Sequence, residues 1–319
     1  MEILLNTKIF TEEQKVGLKQ QIEQLVTDTS RDLDISSLQQ FIVPANFTEE
    51  VISFQEKYNK EEKGHTKNGN EEAMAKVMYY RDKEEYCQVI FLHEALLAPL
   101  VVSHDERLAK QSLFYIRHEL GHVYDEAQKR QIYSEELREG VGLHILDFTL
   151  TRHSDIVWSE YFANRTAATE ITTELFLEQF EHTYILIDRV KNECDTYIEE
   201  YRKHGDINLL KVQIEESTHL LFYFTALTIG NIHSYKEVLG EENGKEIEGL
   251  IDEKVQQTYY GESWRLIEKA LGILYSKYPK WNDIYELDEL NQAIHKCWNS
   301  LGIFLERNGD ENLMYINVP

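Results

Sequence analysis

LFYIRHELGHVYDEA, Leu113 to Ala127, reads as a single helix with two different faces. Leu113, Ile116, Leu120, Val123 and Ala127 recur at steps of three and four, the spacing that stacks side chains along one side of an α-helix. His118 and His122 stand one turn apart on the roughly opposite side, with Phe114 and Tyr115 beside them. A helix clothed on both sides is buried between two layers, which predicts a sheet against one face and another helix against the other. Upstream, Ser103-x-x-Glu106 has the form of a capping box. Two imidazoles at i and i+4 can grip one ion, and Glu119 lies between them, so the stretch carries the HExxH spacing of a metal site.

Working outward, Thr11 to about Thr27 keeps Val16, Leu18, Ile22 and Leu25 at helical spacing behind a Thr-x-x-Gln start. FIVPANF (41–47) is a short apolar run ended by proline, and AMAKVMYY (73–80) and YCQVIFLHEALL (86–97) flank the turn-like RDKEE, which predicts two paired strands. EKYNKEEKGHTKNGNEE (56–72) is almost wholly polar and reads as an exposed connector. Prolines stand only at 44, 99, 279 and 319, so long helices are permitted from Leu100 to Tyr278. The run YFANRTAATEITTELF and onward reads as helix up to Gly205, a C-cap candidate, and further helical stretches follow near 207–239, 245–260 and 263–305. ENLMYINVP at the end fits either an added strand or a tail. The expected fold class is α+β: a small mixed β-sheet packed on the HExxH helix, then a mostly α-helical C-terminal region. The expected domains are 1–204 and an α-helical accessory domain, 205–319.

The 319 residues carry 57 acidic and 33 basic side chains, a net charge of -24, which repels nucleic-acid phosphates and anionic membrane surfaces. Cys87, Cys194 and Cys297 are widely spaced, odd in number and form no CxxC pair, so a reducing, cytoplasmic setting is expected. The N-terminal residues have no export-signal pattern, and no apolar run is long enough to span a bilayer.

A catalytic zinc takes three protein ligands and keeps a fourth position for water. WSEYFANRTA (158–167) offers the third: Glu160, Ala163, Asn164 and Ala167 share one helical face, with small residues that let helices approach closely. Asn164 is then placed to hydrogen-bond the outer nitrogen of a ligand histidine. With HELGH at 118–122 and EYFAN at 160–164, residues 1–175 resemble the gluzincin metallopeptidases, most closely the minigluzincins and the phage-repressor-cleaving ImmA/IrrE group. Thr166 stands where that family commonly has phenylalanine, and no DNA-binding helix-turn-helix is evident beside the motif. The resemblance implies a zincin-like fold, with Zn2+ on His118, His122 and Glu160, Glu119 as general base, and a peptide or protein substrate.

Candidates for stabilising an oxyanion are His144, His153, Tyr133, Tyr161 and Arg165. His93 lies in a strand that would border the cleft if that strand formed the sheet edge, where an extended peptide could pair with it. Beyond 206, aromatic runs such as THLLFYFTALTIGNIH read as core. Two other readings stay open. In one, the same fold is a non-catalytic zinc-binding sensor or scaffold; in the other, a helical interaction protein holds no metal.

Overall fold

The computed structural model describes residues 1–58, 67–68, 71–83, 85–102, 105–309 and 312–319. Its chain is mixed α and β and forms two compact units, Met1–Ala127 with Thr169–Thr172, and Gln128–Ala168 with Thr173–Pro319.

The first unit begins with β1 (Glu2–Leu5), α1 (Glu12–Thr29), β2 (Leu38–Val43) and α2 (Phe47–Lys57). Two-residue strands β3 (Lys67–Asn68) and β4 (Glu71–Glu72) pair with each other, so this part of the expected connector is a small ladder; residues 59–66 lie outside the described residues. Then follow β5 (Ala75–Asp82), β6 (Glu85–Leu92), the short α3 (Ala98–Val102) and α4 (Glu106–Ile132). The Thr11 hydroxyl accepts from the Gln14 amide at 3.3 Å, while Gln14 Oε1 accepts from the Thr11 amide at 2.8 Å, completing the capping box read from sequence. The cap expected at Ser103 lies outside the described residues. Among the described ones, Asp105 Oδ1 accepts from the Arg107 amide at 2.9 Å as α4 begins.

Strand order is β1-β2-β6-β5, with β1, β2 and β6 parallel and β5 antiparallel to β6. Alternation along the strands divides the core. Phe41, Val43, Ile90 and Leu92 face α1 and the Ile116–Leu120–Val123 stripe of α4, whereas Ile42, Val89 and Phe91 pack with Phe47, Val51 and Phe54 of α2. Layers on both faces explain why β2 and β6 are nearly continuous apolar runs. β6 hydrogen-bonds to β2 on one side and β5 on the other, which corrects the edge position considered for it. His93, just beyond, instead caps the next turn, its Nδ1 accepting from the Ala95 amide at 3.1 Å.

The second unit contains the last turn of α4, α5 (Glu135–Arg138), α6 (Ile145–Thr166), α7 (Thr173–His204), α8 (Ile207–Leu239), α9 (Glu241–Val255), α10 (Gly261–Lys277) and α11 (Asp288–Ser300). It ends in an antiparallel hairpin, β7 (Phe304–Arg307) with β8 (Met314–Asn317), so the terminal segment is a strand. Two expected helices are broken. The run from Tyr161 to His204 parts between α6 and α7, where Thr166, Thr169, Ile171, Thr172 and Thr173 concentrate β-branching that disfavours helix. The stretch 263–305 parts at Pro279, which lacks an amide hydrogen, and a short 3-10 turn at Ile284–Leu287 precedes α11. Gly205 closes α7 at φ 73°, its amide donating to Tyr201 O at 2.7 Å. No described helix is long and apolar enough to cross a membrane.

Candidate metal centre

α4 needs its length, 27 residues, to do two jobs. Its apolar stripe is spent on the sheet, which turns His118 and His122 to the other side of the rod. Their Nε2 atoms stand 3.0 Å apart, with ring planes at 83°. His118 is only 7% exposed and Glu119 8%, so both sit in surroundings where water competes weakly. Phe114, buried one turn earlier, lies 6.3 Å from the His118 ring.

One ligand atom from each of His118, His122 and Glu160 lies within 4.8 Å of the others. Ligands about 2.1 Å from a tetrahedral ion are separated by roughly 3.4 Å, so the convergence has the dimensions of a shared ion. The donor chemistry agrees: two imidazoles and a carboxylate are a zinc set. Without a cation, the close imidazole pair is satisfied only when one Nε2 carries a hydrogen and the other does not. The residues therefore fit Zn2+.

Glu160 belongs to α6, which packs on α8. Asn164 Nδ2 donates to Leu227 O at 2.8 Å and to Asn231 Oδ1 at 3.1 Å. Gly230 makes the approach possible, because a Cβ there would fall 2.9 Å from Asn164 Cβ and 3.1 Å from Tyr161 O. Asn164 is thus a buried anchor between helices, a use that its place in the motif did not reveal. α8 also brings His219 near the Glu160 charge. Burial lowers the His219 pKa, Glu160 opposes that shift, and Arg152 adds to it. Sequence reasoning missed His219, since it sits inside an aromatic run that reads as core.

The five candidate oxyanion donors all have partners elsewhere in the second unit. Tyr133 donates to Asp155 Oδ1 at 3.1 Å, and His144 Nδ1 caps α6 by accepting from the Leu146 amide at 3.1 Å. His153 lies edge-on to Trp298, ring centroids 5.2 Å apart, and burial, with His219 and Arg152 adding, drives its pKa down to about 3. The Tyr161 hydroxyl meets His233 Nδ1 at 2.7 Å. Arg165 pairs with Glu237 and lies over the Tyr275 ring at 4.2 Å.

No family model matches the chain, no curated protein matches it in sequence, and no solved structure matches it in fold.

Proposed function

We propose that this chain is a zinc-dependent peptidase of gluzincin type, in which His118, His122 and Glu160 hold Zn2+ and Glu119 is the general base. The observation that carries the reading is the convergence of those three ligand atoms, two of them on consecutive turns that flank Glu119. Bound there, zinc would act as a Lewis acid, lowering the pKa of water and polarising a peptide carbonyl.

The remaining chemistry falls to the chain. Glu119, one residue past His118, is turned by about 100° from the ligand direction, so its carboxylate lies beside the site without being needed as a ligand. It takes the proton from the attacking water and returns it to the leaving amine. The amide that anchors Asn164 to α8 holds the Glu160 end of α6 in place.

The Glu119→Gln variant separates hydrolysis from mere metal binding. With a mixture of denatured-protein peptides as substrate and mass spectrometry as readout, the parent chain is expected to cut. The variant is expected to keep its zinc and lose cleavage by at least about a hundredfold. Cleavage at the parental rate by Glu119→Gln contradicts the mechanism, and absence of cleavage by the zinc-loaded parent on this mixture favours a non-catalytic zinc protein.

A further inference from the structure

α10 and α11 pack on each other, and the segment that joins them leaves space beside their ends. The space is a cavity of about 320 Å3, the size at which small-molecule pockets begin, roughly 300 Å3. One side is a single face of α10, where Ala270, Ile273, Leu274 and Lys277 stand at i, i+3, i+4 and i+7. The rest carries Asp283, Glu286, Asp288 and Glu289. Tyr285 also lines it and is half exposed, so the cavity opens to water.

Only one of these carboxylates is answered by a cation. Lys277 Nζ lies 3.0 Å from Glu286 Oε2, and Asn282 Nδ2 donates to Glu286 Oε1 at 3.1 Å. Asp283 uses one oxygen to cap the turn, accepting from the Tyr285 amide at 2.9 Å. Among the described residues, no ion pair reaches Asp283, Asp288 or Glu289. Arg307, whose charge acts on Asp288, is itself paired with Asp147 at 2.6 Å. Burial, then Asp147 and Asp283, raise the Asp288 carboxyl against the Asn291 hydrogen bond and the Arg307 charge, so like charges are gathered here with too little positive charge among them. Acidic residues suit the first turn of any helix, which accounts for Asp288 and Glu289 on α11 but not for an apolar-sided cavity next to them.

Spacing decides which cation fits. Among the described residues, no three of these carboxylates come close enough to grip one metal ion, so a compact divalent cation gains little in return for its hydration shell. A ligand with several separated positive charges joined by apolar spacers matches both halves of the lining, its charges meeting the carboxylates and its methylenes meeting Ala270, Ile273 and Leu274. We propose that this cavity binds a linear aliphatic polyamine. Asp283, Asp288 and Glu289 take its ammonium groups, and the α10 face takes its carbon chain. Every residue of the cavity belongs to the second unit, and none belongs to the metal centre.

Spermidine is the probe. The full-length chain is titrated with it by isothermal calorimetry at about 0.15 M salt, where a Debye length of roughly 8 Å screens the diffuse attraction of a chain of net charge -24. The parent is expected to saturate at one spermidine per chain, and Asp288→Asn with Glu289→Gln to bind it about tenfold or more weakly. Glu12→Gln with Glu13→Gln removes the same charge from the exposed first turn of α1 and is expected to match the parent. Mg2+ at equal ionic strength is expected to leave spermidine bound. Absence of binding by the parent, equal weakening in both double variants, or displacement by Mg2+ overturns the site. Circular dichroism follows folding of each variant. If Asp288→Asn with Glu289→Gln does not fold, Glu289→Gln alone gives the reading: weaker binding than the parent supports the site, and parental affinity overturns it.

Discussion

His153 shows what burial does to a histidine that is not placed to bind a metal. Its pKa falls to about 3 because burial, helped by His219, Arg152 and Lys211, penalises the imidazolium. The unfolded chain then binds a proton near pH 6.5 that the folded chain refuses until about pH 3, so stability present above pH 6.5 is lost as pH falls between those values. His153→Phe, which keeps a ring against Trp298 and Phe222, is expected to flatten the acid limb of stability against pH by up to a few kcal/mol; a denaturant titration at pH 7 and pH 4.5 checks it. His118, His122 and Glu160 obey a different logic, because three donors share one charge. Removing Glu160 as a ligand, by Glu160→Ala, is expected to weaken zinc binding while leaving the histidine pair in place, and His122→Ala to weaken it further, as read by chelator competition. Equal zinc affinity in the parent and both variants removes these residues from the site.

α4 was legible because its two faces obey one period: the stripe that meets the sheet and the histidine pair both follow from spacing within fifteen letters. Strands β5 and β6 were legible for the same reason, as alternation around a short turn. What local pattern could not show was pairing at long range. The flanking of β6 by β2 as well as β5 depends on a parallel partner some fifty residues earlier. The anchoring of Asn164 by Leu227 and Asn231 joins residues more than sixty apart. The break between α6 and α7 lies within reach of the sequence, in a threonine-rich run whose β-branching disfavours helix. Close packing of α6 on α8 gives a test of its own. Gly230→Ala places a methyl 2.9 Å from Asn164 Cβ, on neighbours that are themselves buried. It is expected to cost about 1–3 kcal/mol of stability, measured by urea unfolding; an unchanged midpoint shows that the two helices can part without penalty.

Charge acts on the chain as a sum. A net of -24 opposes compaction, so raising salt from low to moderate ionic strength is expected to raise the unfolding temperature until screening saturates. Thermal unfolding in a salt series checks this, and a flat or falling series contradicts it. Zinc adds a second handle. An ion that binds only the folded chain stabilises it by RT ln(1 + [L]/Kd), about 2.7 kcal/mol at a free concentration one hundred times Kd. The most direct measurement is anomalous diffraction at the zinc edge from crystals of the parent chain grown with Zn2+. One strong peak is expected, about 2.0–2.2 Å from Nε2 of His118, Nε2 of His122 and a carboxylate oxygen of Glu160. No peak there, or one touching the histidines with Glu160 turned away, contradicts the proposed centre.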